Sequence, residues 1–240
     1  MASTDKTKPG EIQFYGGYQV YSESGVDLTL LRAQLQQTAE QRWENNRRAA
    51  VFQEELRRAG GAAQGAGRDS RRKLQMFDAA AMVRHLTEQR VEFVVIGGLA
   101  MIAHGSAYVT KDLDVCYRRT PANIAALASA LAPHNPYLRG APQGLPFRFD
   151  APTIQAGLNF TLTTNLGDID LLGEVSGIGG YDKVLALAAA MELYGLTVQV
   201  LSVDGLIAAK KAAGQTKDKL HLLELEELKK LKDVPRREDS

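Results

Sequence analysis

The sequence predicts an α/β or α+β core, with helices and strands in layers, preceded by a small helical segment. Three observations favour this fold class. From Leu74 onward, short apolar runs suited to strands alternate with amphipathic runs suited to helices. Between Asp27 and about Gly60 the apolar spacing is helical throughout. A stretch rich in Gly and Ala, GGAAQGAGRDS, lies between these regions and has the composition of a flexible linker.

These boundaries divide the chain into four predicted parts. Residues 1–60 form an N-terminal extension with a pair of helices, 61–73 a flexible linker, 74–232 the main domain and 233–240 a disordered tail. A chain of 240 residues accommodates one such domain and an appendage, since domains commonly span about 100–200 residues.

The extension shows start and stop signals for both helices. The first helix, DLTLLRAQLQ, has Asp27 in the capping position. The second begins at Thr38, where Thr38 and Gln41 have the spacing of a capping box. Its apolar residues recur at roughly helical spacing: Trp43, Val51, Phe52 and Leu56. Gly60 and Gly61 are expected to end it, because glycine is common just after a helix.

The main domain is predicted to alternate helices and strands. In chain order these are the helix FDAAAMVRHLTEQR, the strand VEFVVIGG, the helix LAMIAHG, the strand DLDVCY, the helix TPANIAALASALA, two strands in LNFTLTTNLGDIDLLGEV, the strand LTVQVLS, and the helices VDGLIAAKKAAG and KDKLHLLELEELKKL. Asp78 is placed to cap the first helix, and Pro121 occupies the first turn of a later one.

Charge and cysteine content exclude some classes of protein. Lys and Arg total 29 and Asp and Glu 28, so the net charge argues neither for nor against a polyanionic partner. The single cysteine, Cys116, leaves no disulfide framework and no cysteine zinc site, and is expected to be a buried small hydrophobe. There is no signal-peptide pattern and no apolar run of about 18 residues. We therefore expect a cytoplasmic protein without a membrane partner.

A double glycine, Gly97-Gly98, follows the first strand of the main domain. Glycine lets the backbone turn sharply and approach a ligand closely. A helix that starts there directs free N–H groups toward the end of the strand, where phosphate oxygens bind well. A plain turn explains the same residues, so the glycines by themselves leave both interpretations open.

Two predicted strands carry aspartates in an apolar frame. Asp112 and Asp114 are two residues apart, so their side chains share one side of a strand. Asp170 lies in the second such strand, GDIDLL. If the strands are neighbours, three carboxylates converge and require a cation, and oxygen ligands of this kind suit Mg²⁺ or Mn²⁺. Two-metal sites clamp the oxygens of phosphoryl or nucleotidyl transfer. A solvated acidic strand face is the alternative.

Three sequence blocks carry a family resemblance. The block GGLAMIAHGSAYVTKDLD, the strand GDIDLL and the segment LIAAKKAAGQTKD occur in this order. Together they resemble the DNA polymerase β-type nucleotidyltransferase superfamily, and within it the bacterial AbiEii-like, toxin-type nucleotidyltransferases. The resemblance covers about Phe77 to Leu228. It implies a nucleotidyltransferase fold, a mixed β-sheet flanked by helices, with Mg²⁺ or Mn²⁺ as cofactor and an NTP such as ATP as substrate.

The resemblance also implies residue roles. It gives catalytic and metal-binding roles to Asp112, Asp114 and Asp170, and nucleotide-binding roles to Gly97, Gly98, Thr110 and Lys210. The first two aspartates would hold metal ions that bridge the phosphates. Asp170 would complete the second metal site and help to activate the acceptor hydroxyl. The glycines would cradle the triphosphate, and Lys210 would contact its phosphates. Thr110 would touch phosphate or merely shape the turn.

Several further residues stay open or depart from the family pattern. Lys217 and Asp218 match a late Lys-Asp pair of the family, as a structural ion pair or as ligands. Gln215 stands where many relatives carry an arginine. If that arginine contacts phosphate in the family, its replacement by glutamine would weaken phosphate binding here. Asp168 follows a turn at Gly167 and is expected to be solvated rather than to bind metal. His104 is expected at a helix end, where it favours the helix dipole.

Two functions remain at this stage. The first is an enzyme that transfers an NMP from an NTP to a hydroxyl of a tRNA, a protein or a small molecule, as the toxin of a toxin–antitoxin or phage-defence system. The second is a non-catalytic nucleotide-binding or antitoxin-type module of the same fold. The expected partners are the NTP, the acceptor, and a cognate antitoxin or a second copy bound through the N-terminal helices. The basic segment from Arg42 to Lys73 suits RNA contacts or a solvated helix face.

Overall fold

The computed structural model describes residues 14–15, 18–63, 77–142, 144–214 and 216–233. The helices in this part of the chain are α1 (Leu28–Leu35), α2 (Ala39–Ala63), α3 (Ala79–Glu88), α4 (Gly97–His104), α5 (Pro121–Leu131), α6 (Ala151–Ala156), α7 (Tyr181–Ala186), α8 (Val203–Ala213) and α9 (Thr216–Asp233), with one 3-10 turn at Ala132–His134. None of these helices is both long and apolar enough to cross a lipid bilayer.

The strands complete the architecture. They are β1 (Phe14–Tyr15), β2 (Tyr18–Gln19), β3 (Phe93–Val95), β4 (Asp112–Tyr117), β5 (Tyr137–Leu138), β6 (Asn159–Thr164), β7 (Gly167–Leu172), β8 (Glu174–Val175), β9 (Gly179–Gly180), β10 (Ala188–Leu193) and β11 (Leu196–Leu201). Seven of them form one sheet in the order β10-β11-β3-β4-β7-β6-β5. The pairs β11–β3 and β4–β7 are parallel and the others antiparallel. The predicted fold class, a mixed α/β sheet flanked by helices, is confirmed.

The two central strands β4 and β7 follow directly from their sequences. Each alternates an apolar residue with an aspartate, which is the pattern of a strand with one covered face. Leu113 and Val115 of β4 and Ile169 and Leu171 of β7 are fully buried. The aspartates therefore lie together on the other face of the sheet, with their strands side by side.

The predicted caps of the N-terminal helices are confirmed. The Asp27 carboxylate accepts from the backbone N–H groups of Thr29 and Leu30 at the start of α1. At the start of α2, the Thr38 hydroxyl accepts from the Gln41 N–H at 3.1 Å. The Gln41 side chain accepts in return from the Thr38 N–H at 2.9 Å. This reciprocal pair satisfies two N–H groups that a helix start otherwise leaves unbonded.

The predicted end of the second helix is wrong. Helix α2 continues through Gly60 and Gly61 to Ala63, because Ala62 and Ala63 are the strongest helix formers and offset the cost of two glycines. The remainder of the predicted linker lies outside the described residues, as do residues 234–240 of the predicted tail.

Helix α2 is amphipathic over only part of its length. Trp43 is 2% exposed, whereas Phe52 and Leu56 are 59% and 56% exposed. Its basic side chains are mostly engaged within the protein. Arg47 and Arg48 pair with Glu44, Arg57 pairs with Glu54, and Arg42 is buried.

The N-terminal half of α2 packs against α4. The indole N–H of Trp43 donates to the Leu99 carbonyl at 3.0 Å, and Arg42 Nη2 donates to the Ala103 carbonyl at 2.8 Å. Because α4 begins with the double glycine, this contact ties the N-terminal helix to the region that carries the aspartates. Lys111, beside β4, lies 3.9 Å from Glu54 of the same helix.

Several elements have no counterpart in the sequence prediction: β1, β2, β5, α6, β8, β9, α7 and β10. The two-residue strands are too short to produce a recognisable period. Strand β10 reads AAAMEL, and alanine favours helix over strand. Its pairing with β11 over six residues overrides that preference, as tertiary context commonly does for strands.

His104 ends α4 but does not act through the helix dipole, which corrects the expectation. The side chain is buried, and its Nε2 lies 2.9 Å from the Leu201 carbonyl. Its Nδ1 lies 3.0 Å from Lys232 Nζ. Burial, aided by the positive charges of Lys232 and Arg42, lowers the pKa of His104 to about 4. The imidazole is therefore neutral near pH 7, and it holds α4 against β11 and α9 through hydrogen bonds. Cys116 is a free, buried thiol, as predicted.

Candidate active site

The candidate site lies where β4 and β7 run in parallel at the centre of the sheet. In their register Asp112 is opposite Asp168, and Asp114 is opposite Asp170. Carboxylates directly opposite on one sheet face are close enough to repel. Four acidic side chains thus meet on one face, and the apolar residues between them fix the register from the other side.

Three of these carboxylates converge further. One oxygen each of Asp112, Asp114 and Asp170 lies within 4.8 Å of the other two. The sequence predicts this triad, and the structure brings its members together. Oxygen donors at this spacing match the ligands that hard divalent cations such as Mg²⁺ and Mn²⁺ prefer.

The electrostatics of the triad show that it needs a proton or a cation. Burial raises the pKa of Asp114 to about 7, and the charges of Asp112 and Asp170 act in the same direction. Burial likewise raises the pKa of Asp170, and the Arg139 guanidinium opposes that shift. A cation among the three oxygens removes the repulsion and allows all of them to be ionised at neutral pH.

The double glycine adjoins the triad. Gly97 has φ +59°, and a Cβ at this position would overlap the Asp114 carboxylate. A Cβ on Gly98 would lie 2.8 Å from the Thr110 side chain. The Gly98 N–H donates to Asp114 Oδ2 at 3.3 Å. Glycine is therefore required here because aspartate and threonine side chains come up against the start of α4.

Thr110 contacts the triad directly. Its hydroxyl donates to Asp112 Oδ1 at 2.5 Å, a short bond typical of a charged acceptor. Thr110 is buried, and its side chain packs against Gly98. It therefore orients Asp112 and lines the turn at Gly98 at the same time.

Sequence reasoning missed one charged residue of the site, Arg139. It follows β5, and its Nη2 lies 2.5 Å from Asp170 Oδ1. Its Nε lies 3.2 Å from Asp168 Oδ2 and its Nη1 lies 3.6 Å from Asp112 Oδ2. A single guanidinium thus stands as the cation among three carboxylates. The loop around Arg139 has no periodic pattern, so the sequence carries no local signal for this contact.

Asp168 belongs to a strand rather than to the turn at Gly167, and its side chain remains 37% exposed beside the triad. It lies within β7, and its Oδ1 accepts from the Thr163 hydroxyl at 2.8 Å. With Arg139 on its other oxygen, the Asp168 carboxylate is engaged on both sides. Its contact with the guanidinium places it beside the triad rather than within it.

Lys210 forms an ion pair with Asp218, the acidic member of the late Lys-Asp motif. Lys210 Nζ lies 2.8 Å from Asp218 Oδ1, and Asp218 is buried. The positive charge of Lys210 slightly opposes the upward shift in the pKa of Asp114. Lys211 points elsewhere and pairs with Glu226. The side chain of Lys217 and the whole of Gln215 lie outside the described residues.

A divalent cation fits this donor set. The triad offers three carboxylate oxygens on two strands, and the Arg139 guanidinium pairs with two of its members, Asp112 and Asp170. Asp112 and Asp170, which pair with that guanidinium, are also two of the three members of the triad. A bound metal and Arg139 therefore compete for the same two carboxylates.

Comparison with known proteins adds distant structural likenesses. No protein-family model matches the chain, and no curated protein matches it. Among solved structures it is similar to the lincosamide antibiotic adenylyltransferase LnuA bound to lincomycin, with 8% identity, a TM-score of 0.42, and coverage of 62% of this chain and 94% of that one. It is also similar to a proposed nucleotidyltransferase from Thermotoga maritima, with 14% identity, a TM-score of 0.37, and coverage of 63% and 86%.

Proposed function

We propose that this chain is a metal-dependent nucleotidyltransferase that transfers an NMP from an NTP, such as ATP, to a hydroxyl group. The observation that carries the proposal is the convergence of Asp112, Asp114 and Asp170 beside the turn at Gly97 and Gly98. Such a cluster is costly without a cation, and the adjoining helix start offers N–H groups to phosphate. The resemblance of the sequence blocks to nucleotidyltransferases involves the same residues and supports the same function.

In the proposed reaction the acceptor oxygen attacks the α-phosphorus of the NTP. The new phosphorus–oxygen bond forms as the bond to the β-phosphate breaks, and pyrophosphate leaves. Asp112, Asp114 and Asp170 would hold Mg²⁺ or Mn²⁺, which supplies Lewis-acid stabilisation of the phosphate oxygens. Asp170 is the proposed acceptor of the hydroxyl proton, the role that the family resemblance implies for it.

The remaining site residues bind and position the substrate. The backbone at Gly97 and Gly98 would accommodate the triphosphate at the start of α4. Thr110 holds Asp112 through its hydroxyl. Lys210 would neutralise phosphate charge, and its pairing with buried Asp218 fixes the position of its ammonium group.

A second candidate function is nucleotide binding without turnover. The contact of Arg139 with Asp112, Asp168 and Asp170 favours it, because a guanidinium that satisfies the cluster removes the need for a metal ion. Under this alternative the protein binds nucleotide but no divalent cation at the triad.

The test uses each α-³²P-labelled NTP with Mg²⁺ or Mn²⁺ and three acceptor pools: tRNA, lysate protein, and small hydroxyl compounds. We expect one pool to take up label, and the Asp112→Asn, Asp114→Asn double variant to lose at least about a thousandfold in rate, as loss of metal chemistry implies. Asp204→Asn is the matched control, since Asp204 is 67% exposed in its side chain and pairs with Lys229. Equal labelling by the double variant would contradict the proposal, whereas NTP binding without label in any pool would support the second candidate.

The cellular role that we propose is that of a toxin in a toxin–antitoxin or phage-defence system, with a cognate antitoxin as partner. The resemblance to toxin-type nucleotidyltransferases supports this role. Induced expression in a bacterial host is expected to arrest growth, and the double aspartate variant to leave growth normal. Growth arrest by both proteins at equal expression would show that toxicity does not depend on the two aspartates. Normal growth with both proteins would contradict the toxin role.

A further inference from the structure

The geometry points to Asn46 of α2 as a positioning residue for the metal site, so that the N-terminal helix is a working part of the active site. This inference rests on the proposed function. Asn46 is 5% exposed, and it lies in the segment that the sequence sets apart as an extension. Its two described hydrogen bonds both go to Thr110, so its proposed effect passes through that residue.

The side chain of Asn46 forms hydrogen bonds with both backbone groups of Thr110, its N–H and its carbonyl. Its Oδ1 accepts from the Thr110 N–H at 2.9 Å, and its Nδ2 donates to the Thr110 carbonyl at 3.1 Å. An amide side chain offers a donor and an acceptor on two separate atoms, whereas an ionised carboxylate only accepts and an apolar side chain does neither. These two bonds fix both the position and the tilt of Thr110.

Thr110 in turn contacts two parts of the site. Its hydroxyl donates to Asp112 Oδ1, and its Cβ lies close to Gly98 at the start of α4. A shift of the Thr110 backbone therefore moves a triad carboxylate and the predicted phosphate turn together. Partners that orient metal ligands commonly contribute ten- to hundredfold to metal affinity.

Two other residues of α2 allow the positioning role of Asn46 to be distinguished from ordinary helix packing. One turn earlier, Trp43 makes an equally buried hydrogen bond from α2 to α4, at Leu99. That bond holds the helices together but does not reach Thr110. Next to Asn46, Asn45 bonds to Gln37 on the exposed side of the helix. The chain therefore supplies a control for helix docking and a control for asparagine loss.

The experiment measures Mn²⁺ affinity of the full-length protein by electron paramagnetic resonance of the free ion, with unfolding temperatures recorded in parallel. The variants are Asn46→Ala, Asn46→Asp, Trp43→Phe and Asn45→Ala. Asn46→Asp is nearly isosteric and keeps the acceptor for the Thr110 N–H, so it remains informative if Asn46→Ala fails to fold. We expect Asn46→Ala or Asn46→Asp to weaken Mn²⁺ binding about tenfold or more, and the two controls to change it less than about twofold.

A second measurement tests whether Asn46 acts through Thr110. We expect Thr110→Val to weaken Mn²⁺ binding as well, and Asn46→Ala to add little in the Thr110→Val background, because both changes interrupt the same chain of contacts. Additive losses, or an Asn46→Ala loss equal to that of Trp43→Phe, would overturn the inference.

The outcome also separates this inference from the proposed function. If the wild-type protein binds Mn²⁺ and the Asp112→Asn, Asp114→Asn variant does not, the metal site stands, and the Asn46 comparison then decides the inference alone. If the double variant binds Mn²⁺ as tightly as the wild type, or if neither binds it, the proposed metal site is wrong and the inference is overturned with it.

Discussion

Asp114→Asn is expected to stabilise the metal-free protein while it abolishes nucleotidyl transfer. Asp114 is half-buried beside Asp112 and Asp170, and its pKa is raised to about 7. Above that pH the wild-type protein holds an ionised carboxylate in an unfavourable place. Asparagine keeps an oxygen for the Gly98 N–H and removes the charge. We expect a gain of about 2 kcal/mol in unfolding free energy at pH 8, as a shift of this size implies after allowance for relaxation.

The sign of the pH dependence follows from proton binding in the two states. Between pH 4 and pH 7 the unfolded chain loses the Asp114 proton while the folded protein retains it. The stability of the metal-free protein therefore falls as pH rises through this range. Urea unfolding in chelator at pH 5 and pH 8 measures the effect, with Asp204→Asn as the control. A variant that is less stable than the wild type at pH 8 would contradict the account.

Arg139→Met is the second change with a large expected effect. We expect it to tighten Mn²⁺ binding by about tenfold or more, because it removes both a competitor for Asp112 and Asp170 and a positive charge within about 4 Å of the site. The same change is expected to destabilise the metal-free protein by about 1–2 kcal/mol, since it leaves the carboxylates uncompensated. This loss of stability is smaller than the loss expected on breaking a fully buried ion pair, because the Arg139 side chain is 28% exposed.

The matched control for this prediction is Arg148→Met. The side chain of Arg148 is 89% exposed and pairs with Asp150, away from the triad. Its Mn²⁺ affinity and stability are expected to stay near wild type. Arg139→Lys keeps the charge but cannot reach three carboxylates at once, so its Mn²⁺ affinity is expected between those of the wild type and Arg139→Met. Unchanged or weaker Mn²⁺ binding by Arg139→Met would show that the guanidinium and the metal ion do not compete.

The sequence predicted the acidic triad because strand geometry is local. Alternation with period two places Asp112 and Asp114 on one face, and the apolar residues between them require the other face to be covered. The same pattern in β7 supplied Asp170. The neighbouring position of β4 and β7 was a condition of that prediction, and the structure fulfils it.

The two residues that support the triad from outside these strands could not be predicted. Arg139 reaches Asp170 across 31 positions of the chain from a loop without periodicity. Asn46 reaches Thr110 across 64 positions from a helix that looked like an appendage. Contacts of this kind depend on how separate elements pack, and single-sequence patterns report only the face that an element buries.

Failures at element boundaries have a similar cause. Gly60 and Gly61 carry a stop signal for a helix, yet the helix continues into two alanines. The alanines of β10 carry a helical preference, yet pairing with β11 makes them a strand. In both places a weak local preference gives way to the residues that come next or lie alongside.

The most direct measurement is a crystal structure of the protein with Mn²⁺ and a non-hydrolysable NTP analogue, with anomalous scattering used to locate the metal. We predict an anomalous peak coordinated by Asp112, Asp114 and Asp170, the triphosphate at Gly97 and Gly98, and Arg139 moved away from Asp112 and Asp170. An analogue bound elsewhere, or a triad still occupied by the Arg139 guanidinium with no anomalous peak, would contradict the assignment of this site as the centre of nucleotidyl transfer.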